Sequence, residues 1–220
     1  MALSEYSTKD KGMVLALFAN QCYQPPEQLF EPKNGIPDLA PLKKFLNKPL
    51  PPTYINVDGA QAYVMSDKDD VLIACRGTEP TALNDVKADL NTFRIPHPVA
   101  GKVHQGFYGE YAKVMPGIKK ALAKHDKKNT KSVWVCGHSL GGAMAVLVAM
   151  DVKPEGGLYT FGQPRVGNID FLKAIDFPYF RYVNNNDVVP SVPPSFAGLW
   201  YKHQGHLRYI NTFGNIRKST

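Results

Sequence analysis

From Ser132 to Met150 the chain carries no formally charged side chain, and this apolar run is broken in its middle by Gly137-His138-Ser139-Leu140-Gly141-Gly142. By length alone the run satisfies a membrane-span rule. The glycine-rich break argues instead for a strand, Ser132 to Cys136, a tight turn, and a small-residue helix from Ala143 to Met150. A Gly-x-Ser-x-Gly turn between strand and helix forces its serine into a strained conformation, and glycines two before and two after keep β-carbons out of the bend. The Ser139 hydroxyl then stands at the head of a helix, where free backbone N–H groups can stabilise developing negative charge. The bland reading is a glycine-rich turn whose serine merely caps the helix. Strand, turn and helix in the right order favour a nucleophile.

At 220 residues and 44% hydrophobic content the chain can bury one substantial core, and no linker or repeat divides it. A single domain over residues 1–220 is expected, monomeric by default. The formal charge of +7 raises nucleic acid or anionic lipid as partners. The lysines are dispersed except at Lys119-Lys120 and from Lys124 to Lys131, which reads as a solvated face with transient contact to a lipid interface as the minor alternative. No groove-reading motif supports a nucleic-acid partner. Cys22, Cys75 and Cys136 have neither disulfide-framework nor metal-site spacing and read as buried thiols. Met1 to Lys11 lacks a secretory signal, so a cytoplasmic protein, or a secreted one whose signal has been removed, is expected, with no transmembrane segment.

Thr8 to Cys22 suits a helix capped by Ser7. Tyr54 to Val57, Ala60 to Met65 and Val71 to Arg76 are β-prone runs separated by hairpin turns at Asp58-Gly59 and Ser66 to Asp70. A helical pattern follows from Tyr108 to about Lys124. Gly157 to Phe161 and Phe180 to Val183 add strands around a helix at Asn168 to Ala174. This alternation predicts an α/β fold: a mostly parallel central sheet with antiparallel strands at one edge, helices on both faces, and catalytic loops at the carboxyl ends of the strands.

A serine nucleophile needs an imidazole to take its proton and a carboxylate to fix the imidazole tautomer. Asp187 follows a predicted strand, where catalytic loops cluster; Asp170 and Asp176 fall within or beside a helix. Among the histidines, His138 is locked beside Ser139, His125 lies at a helix exit, His97 is flanked by prolines, and His104 reads as structural. His203 and His206 both follow Asp187, in the order Ser, Asp, His of an α/β-hydrolase. Spacing alone prefers His203 only slightly.

Several segments together resemble the lipase class 3 family of α/β-hydrolases: Ile73 to Thr78, Val103 to Phe107, Gly137 to Gly142, Thr160 to Asn168, Tyr182 to Pro190, and Tyr201-Lys202-His203 followed by Tyr209. The resemblance implies Ser139 as nucleophile, Asp187 as acid and His203 as base. It also implies an oxyanion hole from the backbone N–H groups of Leu140 and Thr78, and requires no metal or organic cofactor. His206-Leu207-Arg208 departs from it, since the family often holds an acidic residue there.

Residues 79–93 occupy the position of a lid in the related lipases. Leu83, Val86 and Leu90 form a narrow apolar stripe, which suits a polar lid or a packed surface helix equally. Val188 and Val189 are candidates for an acyl groove, and equally for core. The expected activity is hydrolysis of acylglycerol or related lipid esters through an acyl-enzyme. A feruloyl-type or phospholipid acyl esterase on the same fold is the alternative, and a non-catalytic lipid-binding member a more distant one.

Overall fold

A computed structural model describes residues 2–29, 42, 50–77, 93–195 and 200–218. In chain order its main elements are α1 (Thr8–Gln21), β1 (Leu50–Val57), β2 (Ala60–Ser66), β3 (Asp70–Cys75), β4 (Arg94–Pro96), β5 (Lys102–His104), α2 (Gln105–His125), β6 (Ser132–His138), α3 (Leu140–Val152), β7 (Gly157–Phe161), α4 (Ile169–Lys173), β8 (Tyr179–Asn184), β9 (His206–Ile210) and β10 (Ile216–Lys218). Eight strands form one sheet in the order β1-β2-β3-β6-β7-β8-β9-β10. The run from β3 through β6, β7 and β8 to β9 is parallel. The expected antiparallel edge is there, with β1–β2 turning on Asp58 and Gly59, both at positive φ. A second antiparallel pair, β9–β10, closes the far edge, and β4–β5 form a separate ribbon.

The period-2 alternation of the central strands divides two cores. Val71, Ile73, Cys75 and Val135 face α2 and α3, whereas Leu72, Ala74, Trp134 and Cys136 face α1. Helix α3 is buried from Gly141 to Met150, which is why its sequence has no polar face. Helix α1 begins as expected, with Ser7 Oγ accepting the Asp10 N–H. Helix α2 starts at Gln105, earlier than expected, because the His104 side chain accepts the Phe107 N–H and serves as a cap. All three cysteines are buried free thiols. Among the described residues no helix is long and apolar enough to cross a membrane.

The two ends of β6 differ in character. Its carboxyl end runs into the serine turn. At its amino end the turn from α2 is basic: Lys68, Lys124, Lys127, Lys128 and Lys131 line a cavity of about 500 Å³. The Asp126 carboxylate in that turn is taken up by the Thr130 and Lys131 N–H groups. His125 is buried there between the hydroxyls of Thr53 and Ser66.

Candidate active site

Ser139 has φ 54° and ψ −128°, a conformation an L-residue adopts only at a cost. Contacts on every side impose it. The Ser139 N–H donates to Phe161 O at 2.9 Å, keeping the turn paired with β7, while its carbonyl accepts from Gly142 N–H at 2.9 Å and opens α3. A β-carbon on Gly137 would lie 2.2 Å from Gly141 O, and one on Gly141 would lie 2.2 Å from Cys75 O. Backbone thus packs on backbone, and β3 holds the turn from below. Ser139 itself is only 2% exposed.

Leu140 occupies the first helical position, whose N–H has no acceptor within the helix. Thr78, the other expected oxyanion donor, lies outside the described residues, as does the candidate lid up to residue 92. Gly77 is described: a β-carbon there would lie 2.6 Å from His138 O and 3.3 Å from Gly141 N, so the chain leading to Thr78 abuts the serine turn. Phe93, at the end of the lid segment, is exposed.

Asp187 closes a turn after β8, its N–H donating to Asn184 O. One carboxylate oxygen accepts the Val189 N–H at 2.9 Å. The other approaches Gly162, where a β-carbon would lie 2.5 Å from Oδ2. Gly162 has φ 57° and its N–H is tied to Tyr182 O at 2.9 Å. Glycine is therefore required twice over, for its backbone angle and for the space above it. In the sequence Gly162 falls inside the segment Thr160 to Asn168, and its signal is its place at the end of an apolar strand, Phe161-Gly162.

His138 shares this space: the same β-carbon would lie 3.7 Å from its Nε2. Its Nδ1 is paired with the Tyr23 hydroxyl at 2.9 Å. Burial lowers the His138 pKa and the Asp187 charge partly restores it. The ring borders a cavity of about 380 Å³ with Ala16, Ala19, Tyr23 and Phe161.

Among the described residues His203 Nε2 lies 2.8 Å from Pro190 O, its Nδ1 is buried without a hydrogen-bond partner, and no hydrogen bond joins the ring to Ser139 or Asp187. Burial, Arg181 and Arg165 push its pKa down to about 4, with the Pro190 contact opposing them. The Lys202 N–H donates to Gly167 O and Tyr201 is buried, which fixes the chain leading into His203. Arg165 braces the same loop through the carbonyls of Ser191 and Pro193. His206 opens β9, exposed and stacked on Phe180. Val188 is 56% exposed, and Val189 is half-buried with its N–H on Asp187.

The arrangement is a strained serine at a helix head after β6, with a carboxylate beyond the end of β8, two strands away, held by a backbone N–H. A family model described as lipase (class 3) matches residues 72–197. The chain is 38% identical over 158 residues to a secreted mono- and diacylglycerol lipase of Malassezia globosa, covering 64% of this chain and 51% of that one. It spans about half the length of the curated relatives it matches. The triacylglyceride lipase of Rhizomucor miehei superposes with a TM-score of 0.78 at 25% identity, covering 97% of this chain and 84% of that one. A triacylglycerol lipase whose catalytic centre is a serine-protease triad superposes with a TM-score of 0.73 at 26% identity, covering 93% and 82%. On the family match and this shared architecture, the chain belongs to the class 3 lipase family.

Proposed function

We propose that the chain hydrolyses carboxylic esters of the acylglycerol type, with Ser139 as nucleophile and Asp187 as the triad carboxylate. The observation that carries this reading is the Ser139 backbone, φ 54° and ψ −128°, wedged between the end of β6 and the first turn of α3. Such strain persists where the surrounding structure over-determines it, and here it sets a hydroxyl beside free helix N–H groups. The acylglycerol lipases among the relatives support the substrate class.

Ser139 Oγ attacks the ester carbonyl carbon as its proton leaves for an imidazole. The oxyanion formed lies against the Leu140 N–H, a donor worth about 3 kcal/mol of transition-state stabilisation when preorganised. Collapse expels the alcohol with that proton. Water then attacks the acyl-enzyme and releases the acid. Asp187 fixes the tautomer of the imidazole that carries the proton. His203, held on the Pro190 carbonyl of the loop that follows Asp187, is that imidazole.

A fluorophosphonate probe tests the reading. The parent is expected to be labelled on Ser139 and Ser139→Ala to be silent; labelling that survives the substitution refutes the nucleophile. Hydrolysis of emulsified long-chain triacylglycerol beside soluble short-chain esters tests the substrate class. Turnover confined to the soluble esters would remove acylglycerols from it.

A further inference from the structure

The pair Tyr23–His138 is not used in the chemistry above, yet it lies against the chain leading to Thr78 and shares the space over Gly162 with the Asp187 carboxylate. Tyr23 stands just beyond the end of α1, and its hydroxyl is 2.9 Å from His138 Nδ1. A β-carbon on Gly77 would lie 2.4 Å from the same hydroxyl, so Tyr23 touches the chain that leads to Thr78. Arg76 lies over the Tyr23 ring, 5.6 Å from its centroid, and is itself held by the Gln61 side chain. On the far side of the imidazole, Nε2 crowds the same face of Gly162 as the Asp187 carboxylate.

We propose that Tyr23 and His138 are positioning residues for Asp187: the Tyr23 hydroxyl donates to His138 Nδ1, which keeps the imidazole proton on Nε2 and turns an N–H pole toward the carboxylate. This rests on the reading of Asp187 as the triad acid. A neutral imidazole has one N–H, and which nitrogen carries it is decided by the partner of the other. Were the tautomer reversed, a lone pair would face the Asp187 charge. The Nε2–H pole attracts the carboxylate oxygen over Gly162, while the Val189 N–H holds the other oxygen. The chain Arg76–Tyr23–His138 then ties the end of β3 to the acid loop after β8, across the strands β6 and β7 that lie between them.

The side-chain geometry gives a discriminating experiment. The amide nitrogen of glutamine reaches the place of imidazole Nε2, while that of asparagine reaches only the place of Nδ1. Fluorophosphonate labelling rate and soluble-ester kcat and KM are measured for the parent, Tyr23→Phe, His138→Gln and His138→Asn, with a thermal melt of each. Tyr23→Phe and His138→Asn are expected to lose about tenfold in kcat at unchanged KM, the worth of one hydrogen bond to a charged group. His138→Gln should keep most of the parental rate. A purely structural role would lower the melting temperature without separating glutamine from asparagine in rate, and that result overturns the proposal. A parent that is not labelled at all would instead overturn the ester-hydrolase reading on which it rests.

Discussion

Trp134 donates its indole N–H to the carboxylate of Asp70 at 2.8 Å, across the parallel pair β3–β6 and entirely within the protein. The other oxygen of the same carboxylate accepts the Leu3 N–H at 2.7 Å, so one buried acid fastens the N-terminal stretch to the central sheet. Asp70→Ala would strand both donors in the core. A loss of about 3 kcal/mol is expected, with Asp70→Asn losing less because it keeps one acceptor. Chemical denaturation measures both, and a loss below about 1 kcal/mol for alanine would show that the donors find other partners.

The strain at Ser139 makes its own prediction. Glycine adopts φ 54° without penalty, whereas alanine retains the β-carbon that causes it. Ser139→Gly should therefore be more stable than Ser139→Ala by about 1 kcal/mol, although neither can form an acyl-enzyme. Equal midpoints in urea would place the strain elsewhere.

His203 is expected to carry the Ser139 proton. A neutral amide can keep the bond to Pro190 O but cannot accept that proton, so His203→Gln should lose fluorophosphonate labelling by about a hundredfold or more. Labelling within about threefold of the parent rate would make His203 a brace for the loop after Asp187 rather than a base.

Two buried imidazoles shape stability in acid. Burial pushes the His125 pKa to about 4, helped by Lys124 and Lys131, and burial with Arg181 and Arg165 does the same for His203. The unfolded chain takes up these protons near pH 6.5. Folded pKa values below unfolded ones mean that the unfolded state binds more protons between about pH 6.5 and 4. Stability from these groups is complete above that window and falls as pH drops through it, by on the order of 2 kcal/mol for each group at about pH 5. Urea midpoints at pH 7 and pH 5 should show the fall, and His125→Asn should make it shallower. An unchanged slope in that variant would clear His125.

What could be read in advance follows from how local the cause is. The Ser139 turn is dictated by steric contacts among Gly137, Gly141 and the end of β3, and such contacts leave glycines in the sequence. The parallel strands announce themselves because burial on both faces makes them apolar. Strands β9 and β10 lie at an exposed edge, where His206, Arg208 and Arg217 interrupt any hydrophobic pattern. The position of Asp187 after its strand was legible, but its holders, Gly162 and the Val189 N–H, depend on a backbone angle and a main-chain donor that carry no side-chain signature. Chain order and the resemblance name His203, whereas its contact with Pro190 O follows from the path of residues 200–205, which no sequence pattern carries.

The lysine-lined turn and Ser139 sit at opposite ends of β6, which runs from Ser132 to His138 and so separates them by about 20 Å. The lysine cluster therefore lies more than a Debye length from the reacting hydroxyl, so in physiological salt its charge is largely screened from Ser139, and lysines there can be replaced without disturbing the chemistry.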